Sequence, residues 1–163
     1  QDTPTTEIYT LSLHDALPIS RLGAVLCDRS EQQEMAMARY GMHLGTAFQL
    51  IDDVLDYSSN SNDMGKNVGD DLAEGKPTLP LIYAISKGTA EQGALIRTAL
   101  EKGGYDYIDD VQAIIHSTGA LDYTASVAGK EADLALSELD HLEDSDYKQA
   151  LVSLAHLSVE RNS

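Results

Sequence analysis

Three aspartates near the end of one apolar segment have the residue type and spacing for metal chemistry in this chain of 163 residues. The segment reads FQLIDDVLDY over residues 48–57 and contains Asp52, Asp53 and Asp56. On a helix, Asp56 lies one turn after Asp52 and about 40° around the axis, whereas Asp53 is offset from Asp52 by about 100°. Like charges on one face destabilise an isolated helix, and carboxylates near its C-terminus oppose the helix dipole. A divalent cation would remove both penalties, and carboxylate oxygens are the ligands that Mg²⁺ prefers.

Two lysines in the polar stretch that follows are suited to complete such a site. Lys66 and Lys76 are the only Lys or Arg residues between Arg39 and Lys87, and each follows a glycine, where the backbone can come close to a ligand. Magnesium usually keeps some of its waters and is completed by substrate phosphates. The combination predicts a diphosphate bridged by metal. The competing interpretation is a solvated acidic face, but the apolar residues around the aspartates leave little room for one.

The elements that must position these groups are predicted to be helices. Ser30 to Gln33 has the pattern of a capping box, and the apolar spacing after it predicts one helix over about 31–57. The polar stretch Ser58–Thr78 predicts a loop that is functional or disordered. Further helices are predicted over residues 79–86, 90–102, 106–117, 120–142 and 145–161. A capping box at Thr89 marks the start of the helix over 90–102. No strand pattern follows residue 20, so the predicted fold class is all-α.

Composition narrows the function classes. The 11 Lys and Arg stand against 27 Asp and Glu, and the formal net charge of −16 disfavours binding to nucleic acid or to an anionic membrane surface. No apolar run approaches the roughly 18 residues that a membrane span needs. The single cysteine, Cys27, cannot form an internal disulfide, so we expect a protein of the reducing cytoplasm.

Three linked sequence blocks carry a family resemblance. They are FQLIDDVLDY at 48–57, GKNVGDDL at 65–72 and EGKPTLPL at 74–81. Together they resemble the second aspartate-rich region of trans-polyprenyl diphosphate synthases. The sequence of these blocks is most similar to that of the bacterial octaprenyl diphosphate synthase group. The resemblance covers about residues 21–163. It implies the C-terminal half of an isoprenoid-synthase-type helical bundle around a deep cavity, usually as a homodimer.

The resemblance also implies a reaction and a metal. Family members condense isopentenyl diphosphate with an allylic diphosphate, and Mg²⁺ held by aspartate-rich motifs stabilises the departing diphosphate. An octaprenyl product for quinone side chains is what the most similar group implies. In this sequence, Asp52 would be the principal Mg²⁺ ligand, with Asp53 and Asp56 in support.

Further residues are implied to contact the substrates. Lys66 would hold the allylic diphosphate, and Gln49 would face the reacting carbons. The loop that closes over the site would add Lys76, as a second contact to diphosphate, together with Asp70 and Asp71.

The first part of the chain departs from the family pattern. Nothing in residues 1–47 matches the first aspartate-rich motif, and residues 10–20, TLSLHDALPIS, resemble translated sequencing-adapter sequence. We therefore expect residues 1–20 to be an artefact or disordered and residues 21–163 to be the C-terminal part of a synthase domain. We also expect the chain to be truncated and inactive by itself.

Three alternative functions are open at this stage. The first is a noncatalytic helper subunit of a heteromeric prenyl synthase, although such a subunit has no need to keep Asp52, Asp53, Asp56 and Lys66. The second is a class I terpenoid cyclase, which shares the fold and the Mg²⁺ chemistry but normally carries an Asn/Ser/Glu metal motif in place of a second DDxxD. The third is an acidic helical protein without a ligand.

Overall fold

The computed structural model of the chain describes residues 19–58 and 69–160. Within these two ranges the regular secondary structure is helical and contains no strand, which confirms the predicted all-α class. A 3₁₀ turn at Tyr105–Tyr107 separates the fifth helix from the sixth. The helices are α1 (residues 19–26), α2 (Glu31–Ser58), α3 (Asp70–Ala73), α4 (Leu79–Lys87), α5 (Ala90–Lys102), α6 (Ile108–Thr118), α7 (Ala120–Glu138) and α8 (Asp146–Val159).

Both predicted capping boxes are present. At the start of α2, the Gln33 backbone N–H donates to Ser30 Oγ at 3.4 Å and the Ser30 N–H donates to Gln33 Oε1 at 3.3 Å. At the start of α5, the corresponding bonds between Thr89 and Gln92 measure 3.2 and 2.8 Å. Each box satisfies backbone donors that have no partner inside the helix, which is why the sequence pattern located these two helix starts correctly.

Several predicted boundaries were wrong. The helix predicted from residue 106 begins at Ile108, because the Tyr107 N–H donates to the Gly104 carbonyl at 2.9 Å and closes a 3₁₀ turn first. The helix predicted to reach residue 142 ends at Glu138, where the backbone changes to bonds spanning three residues. The last helix ends at Val159, two residues before the predicted end.

Two short helices lie where the sequence predicted none. Residues 19 and 20 belong to α1, although the sequence pattern over 1–20 is not helical, while residues 1–18 lie outside the described ranges. The four-residue α3 lies within the predicted loop 58–78, of which residues 59–68 are outside the described ranges. None of the described helices is long and apolar enough to cross a membrane.

The described residues divide into two compact units, the first formed by residues 19–51 with 127–160 and the second by residues 52–58 with 69–126. In the first unit, Tyr40 of α2 packs with Ala135 and Leu139 in a small buried cluster. Its hydroxyl donates to the Leu151 carbonyl at 2.8 Å, and burial raises the pKa of Tyr40 to about 12.

The second unit has the larger apolar core and contains the predicted aspartate motif. Tyr57 from the end of α2 and Leu72 of α3 are both buried in this core. Burial of these two side chains places the end of α2 and the short helix α3 against the same helices. The other buried members are Leu81, Ala84, Ile96, Ala99, Val111, Ile114, Ile115 and Ala120.

A bidentate ion pair in the first unit gives a pH-dependent prediction. Arg39 of α2 donates two hydrogen bonds of 2.7 Å to the Glu138 carboxylate at the end of α7, and these bonds hold the pKa of Glu138 below its usual value of 4.5. Because the folded pKa is the lower one, the pair stabilises the fold above pH 4.5, and this contribution is lost as the pH falls through the folded value. We expect Glu138→Gln to lower the urea midpoint at pH 7 by roughly 0.2 to 0.5 M, a small effect because the Arg39 side chain is partly exposed.

The measurement is urea unfolding followed by circular dichroism at pH 7 and at pH 3. Glu143→Gln, at an exposed carboxylate in the turn between α7 and α8, serves as the matched control. The difference between the wild-type and Glu138→Gln midpoints should be smaller at pH 3 than at pH 7, and a difference of the same size at both pH values would contradict the assignment.

Candidate functional site

The three aspartates of the motif differ in burial at the end of α2. Asp52 and Asp56 are partly exposed, as two residues one turn apart on an accessible face would be, whereas Asp53 is 0% exposed. All three belong to the second unit. The spacing is consistent with the partial exposure of Asp52 and Asp56, but it gave no sign that Asp53 would be the buried member.

Hydrogen bonds from the loop hold Asp56. The Asp71 N–H donates to Asp56 Oδ2 at 3.3 Å, and the Gly69 N–H donates to the Asp56 backbone carbonyl at 3.1 Å. The carboxylate at the end of α2 therefore accepts from the first turn of α3, a turn whose N–H groups have no partner inside the helix. These bonds bring Asp70 and Asp71 next to Asp56.

The surroundings of Asp56 disfavour its charged form. Its pKa is raised from 3.8 to about 6, chiefly by burial and then by the negative charges of Asp71 and Asp70. Backbone hydrogen bonds from the same two residues offset part of the increase. The end of α2 is thus a place where negative charge is concentrated and where a cation would be stabilised.

Lys76 supplies the nearest described positive charge to this cluster. Its Nζ pairs with Glu74 Oε2 at 2.6 Å and with Asp71 Oδ1 at 3.2 Å, and both partners raise the pKa of Lys76, Glu74 more strongly. Asp71 therefore links Lys76 to Asp56, its carboxylate facing the ammonium while its backbone N–H faces Asp56. The structure thus brings Lys76, Asp70 and Asp71 together with the end of α2.

The contacts given above do not bear on the predicted roles of two other residues. Lys66 lies outside the described residues, so its predicted role stays a prediction. Gln49 is partly exposed on α2, one turn before Asp53, and belongs to the first unit.

Two buried hydroxyls in the second unit were not anticipated from the sequence. Tyr57 is 1% and Thr78 is 2% exposed, and neither hydroxyl has a hydrogen-bond partner among the residues that the structure describes. The pKa of Tyr57 is raised, mainly by burial and further by the charges of Asp56, Asp71 and Asp53. The position of Tyr57 directly after the last aspartate was the one available signal that it would adjoin the site.

The donor chemistry of this cluster fits a hard divalent cation. The groups are carboxylate and hydroxyl oxygens, which Mg²⁺ and Ca²⁺ prefer over nitrogen or sulfur ligands. Within residues 19–58 and 69–160, no three His, Cys, Asp or Glu side chains are arranged to hold a metal by themselves. Magnesium is commonly bound through only one or two carboxylates, with phosphate oxygens and water completing its shell.

Comparison with known proteins identifies the family. Residues 16–118 match the polyprenyl synthetase family. The octaprenyl diphosphate synthase of Haemophilus influenzae is 56% identical over 140 residues, which are 85% of this chain and 43% of that protein. The chain therefore spans less than half the length of this curated relative.

Two solved structures share the fold. Polyprenyl synthase from Caulobacter crescentus, complexed with calcium and isoprenyl diphosphate, gives a TM-score of 0.81 at 35% identity over 91% of this chain and 46% of that chain. Geranylgeranyl pyrophosphate synthase from Corynebacterium glutamicum, complexed with isoprenyl diphosphate and magnesium, gives 0.74 at 32% identity over 86% of this chain and 41% of that chain. The family match covers more than half of the residues in this chain. The chain therefore belongs to the polyprenyl synthetase family.

Proposed function

We propose that this chain forms the part of a Mg²⁺-dependent polyprenyl diphosphate synthase that holds the diphosphate of an allylic substrate. The observation that carries the proposal is the convergence of Asp56, Asp70 and Asp71, with Lys76 paired to Asp71. Negative charge of this density next to a lysine matches the needs of a metal-bridged diphosphate.

The metal ligands in this proposal are the carboxylates at the end of α2. Asp52 and Asp56 are the accessible members, so they would contact the ion, while the buried Asp53 would support them. The chemistry that Mg²⁺ supplies when bound is electrostatic stabilisation of the charge that develops on a departing diphosphate. The amide donors of α3 orient Asp56 for this role, because one of its oxygens is already held by the Asp71 N–H.

The lysines would bind the diphosphate itself. Lys76 is held by two carboxylates on a loop that also carries the amides bound to Asp56, so its ammonium stays close to the acidic cluster. A point charge of this kind binds phosphate oxygens without demanding one geometry. Lys66, as a further diphosphate contact, and Gln49, facing the reacting carbons, are part of the same proposal.

The substrate class and product follow from similarity. We infer that an allylic diphosphate is condensed with isopentenyl diphosphate, and that the product is an octaprenyl chain for quinone side chains, because an octaprenyl diphosphate synthase is 56% identical to this chain. A cytoplasmic location and a homodimer belong to the same proposal. Exposed apolar side chains on α1, among them Ile19 and Leu26 at 70% and 76%, are surface of the kind that interfaces cover.

Metal-dependent binding of diphosphate by the purified chain tests the site. We expect isothermal titration with inorganic pyrophosphate to show binding that requires Mg²⁺, and Asp52→Asn to weaken it about 10- to 100-fold, because one metal ligand loses its charge. Asp109→Asn, at an exposed carboxylate in the first turn of α6, is the matched control and should bind as the wild type does. Equal affinity in wild type and Asp52→Asn would contradict the assignment.

Elongation activity tests the proposed reaction. We expect the chain alone to give no long-chain product from farnesyl diphosphate, labelled isopentenyl diphosphate and Mg²⁺, because it spans under half the length of the synthase that it resembles. A chimera in which residues 21–163 replace the matching segment of a full-length octaprenyl diphosphate synthase should support elongation within about tenfold of that parent, because the activity depends on the site residues and the chimera keeps the proposed ones.

The same exchange carrying Asp52→Ala should lose the product. An exchanged protein that folds and binds diphosphate but never elongates would argue against the proposed reaction. Long-chain product from the chain alone, abolished by Asp52→Ala, would show instead that the chain completes a site without further segments.

A further inference from the structure

The turn between α5 and α6 packs tightly against α3. Gly104 of this turn faces the fully buried Leu72 of α3, and a Cβ at Gly104 would overlap the Leu72 side chain. At the start of α3, Gly69 has a φ of 83° and faces Ile108, with which a Cβ would also overlap. At Gly104 and at Gly69 the backbone thus comes close to a side chain of the facing segment, and glycine fits both positions because it has no Cβ.

A side-chain hydrogen bond spans the same contact. Tyr105 Oη donates to Asp70 Oδ1 at 2.9 Å, joining residues that are 35 positions apart. Tyr105 is 52% exposed, so this hydrogen bond lies at the surface of the unit. A bond from a hydroxyl to an ionised carboxylate is stronger than one between neutral groups.

Asp70 is also part of the backbone that forms α3. Its carbonyl accepts from the Glu74 N–H at 2.9 Å, and the next residue supplies both the amide that holds Asp56 and the carboxylate that holds Lys76. A restraint on Asp70 therefore acts on the two groups assigned to metal and diphosphate.

We propose that Tyr105 is a positioning residue, whose hydroxyl fixes the Asp70 carboxylate and thereby holds α3 in the arrangement that presents Asp56 and Lys76. Its consequence for ligand binding rests on the proposed function, whereas its consequence for the order of α3 does not. Tyr105 lies outside the three sequence blocks that carry the family resemblance, and the link to Asp70 exists only through the packing of the α5–α6 turn on α3.

Hydrogen exchange of the chain without ligand tests the restraint directly. The amides of Ala73, Glu74, Gly75 and Lys76 all donate to carbonyls of residues 69–72, so they report the order of α3. We expect Tyr105→Phe to speed their exchange about 3- to 10-fold, the range for loss of one partly exposed hydrogen bond. Amides in the middle of α7 should change less than these four, and the thermal midpoint should fall by no more than about 4 °C.

Two controls isolate the hydroxyl contact. Tyr123→Phe removes a hydroxyl from a partly exposed tyrosine of the same unit and should leave the four amides unchanged. In an Asp70→Asn background, Tyr105→Phe should have a smaller effect than in the wild type, because the charged acceptor is already gone. Unchanged exchange in Tyr105→Phe, or equal loosening of α7, would overturn the proposal.

The binding arm uses Mn²⁺ with inorganic pyrophosphate as the probe. We expect Tyr105→Phe to weaken binding about 3- to 10-fold at a temperature well below the thermal midpoint of both proteins. Faster exchange of the four amides with wild-type affinity would overturn the positioning role and leave a purely structural bond. Absence of binding by the wild-type chain would instead count against the proposed function, and the exchange result would still decide whether Tyr105 orders α3.

Discussion

The central constraint in the second unit is the concentration of negative charge at the end of α2. Asp56 is half-buried beside Asp70 and Asp71, and this environment raises its pKa to about 6. The amide of Asp71 offsets part of the cost by donating to the Asp56 carboxylate. A fold that only needed stability would gain by replacing such a group, because desolvated like charges oppose folding. Its presence makes sense if a cation and a phosphate ligand complete the arrangement.

The apolar core determines where this charge is placed. Tyr57 and Leu72 lie on either side of the segment 59–68, and both are buried in the same cluster. Adjacent residues then have opposite environments: Tyr57 enters the core while Asp56 stays at its edge, partly exposed. Because the packed side chains hold both ends of the segment, the position of Asp56 relative to α3 depends on burial of apolar groups and not on the polar groups alone.

Similarity and geometry contribute different parts of the functional assignment. The family match and the identity to an octaprenyl diphosphate synthase bear on reaction class and substrate. The contacts among Asp56, Asp71 and Lys76 bear on the proposal that this chain itself holds a cation with an anionic ligand. The chain spans less than half the length of that relative, so the similarity concerns a larger protein than this chain. The contacts concern this chain alone.

Local patterns in the sequence determined the helical class, the two capping boxes and the spacing of the aspartates, because each depends on residues within a turn or two of one another. The same patterns missed the start of α6 and the end of α7, where the backbone changes to three-residue bonding. Only the tertiary structure decided that Asp53 is buried and that the Tyr105 hydroxyl meets Asp70. Those outcomes depend on which distant segments pack together, and the periodicity of a single helix contains no information about its partners.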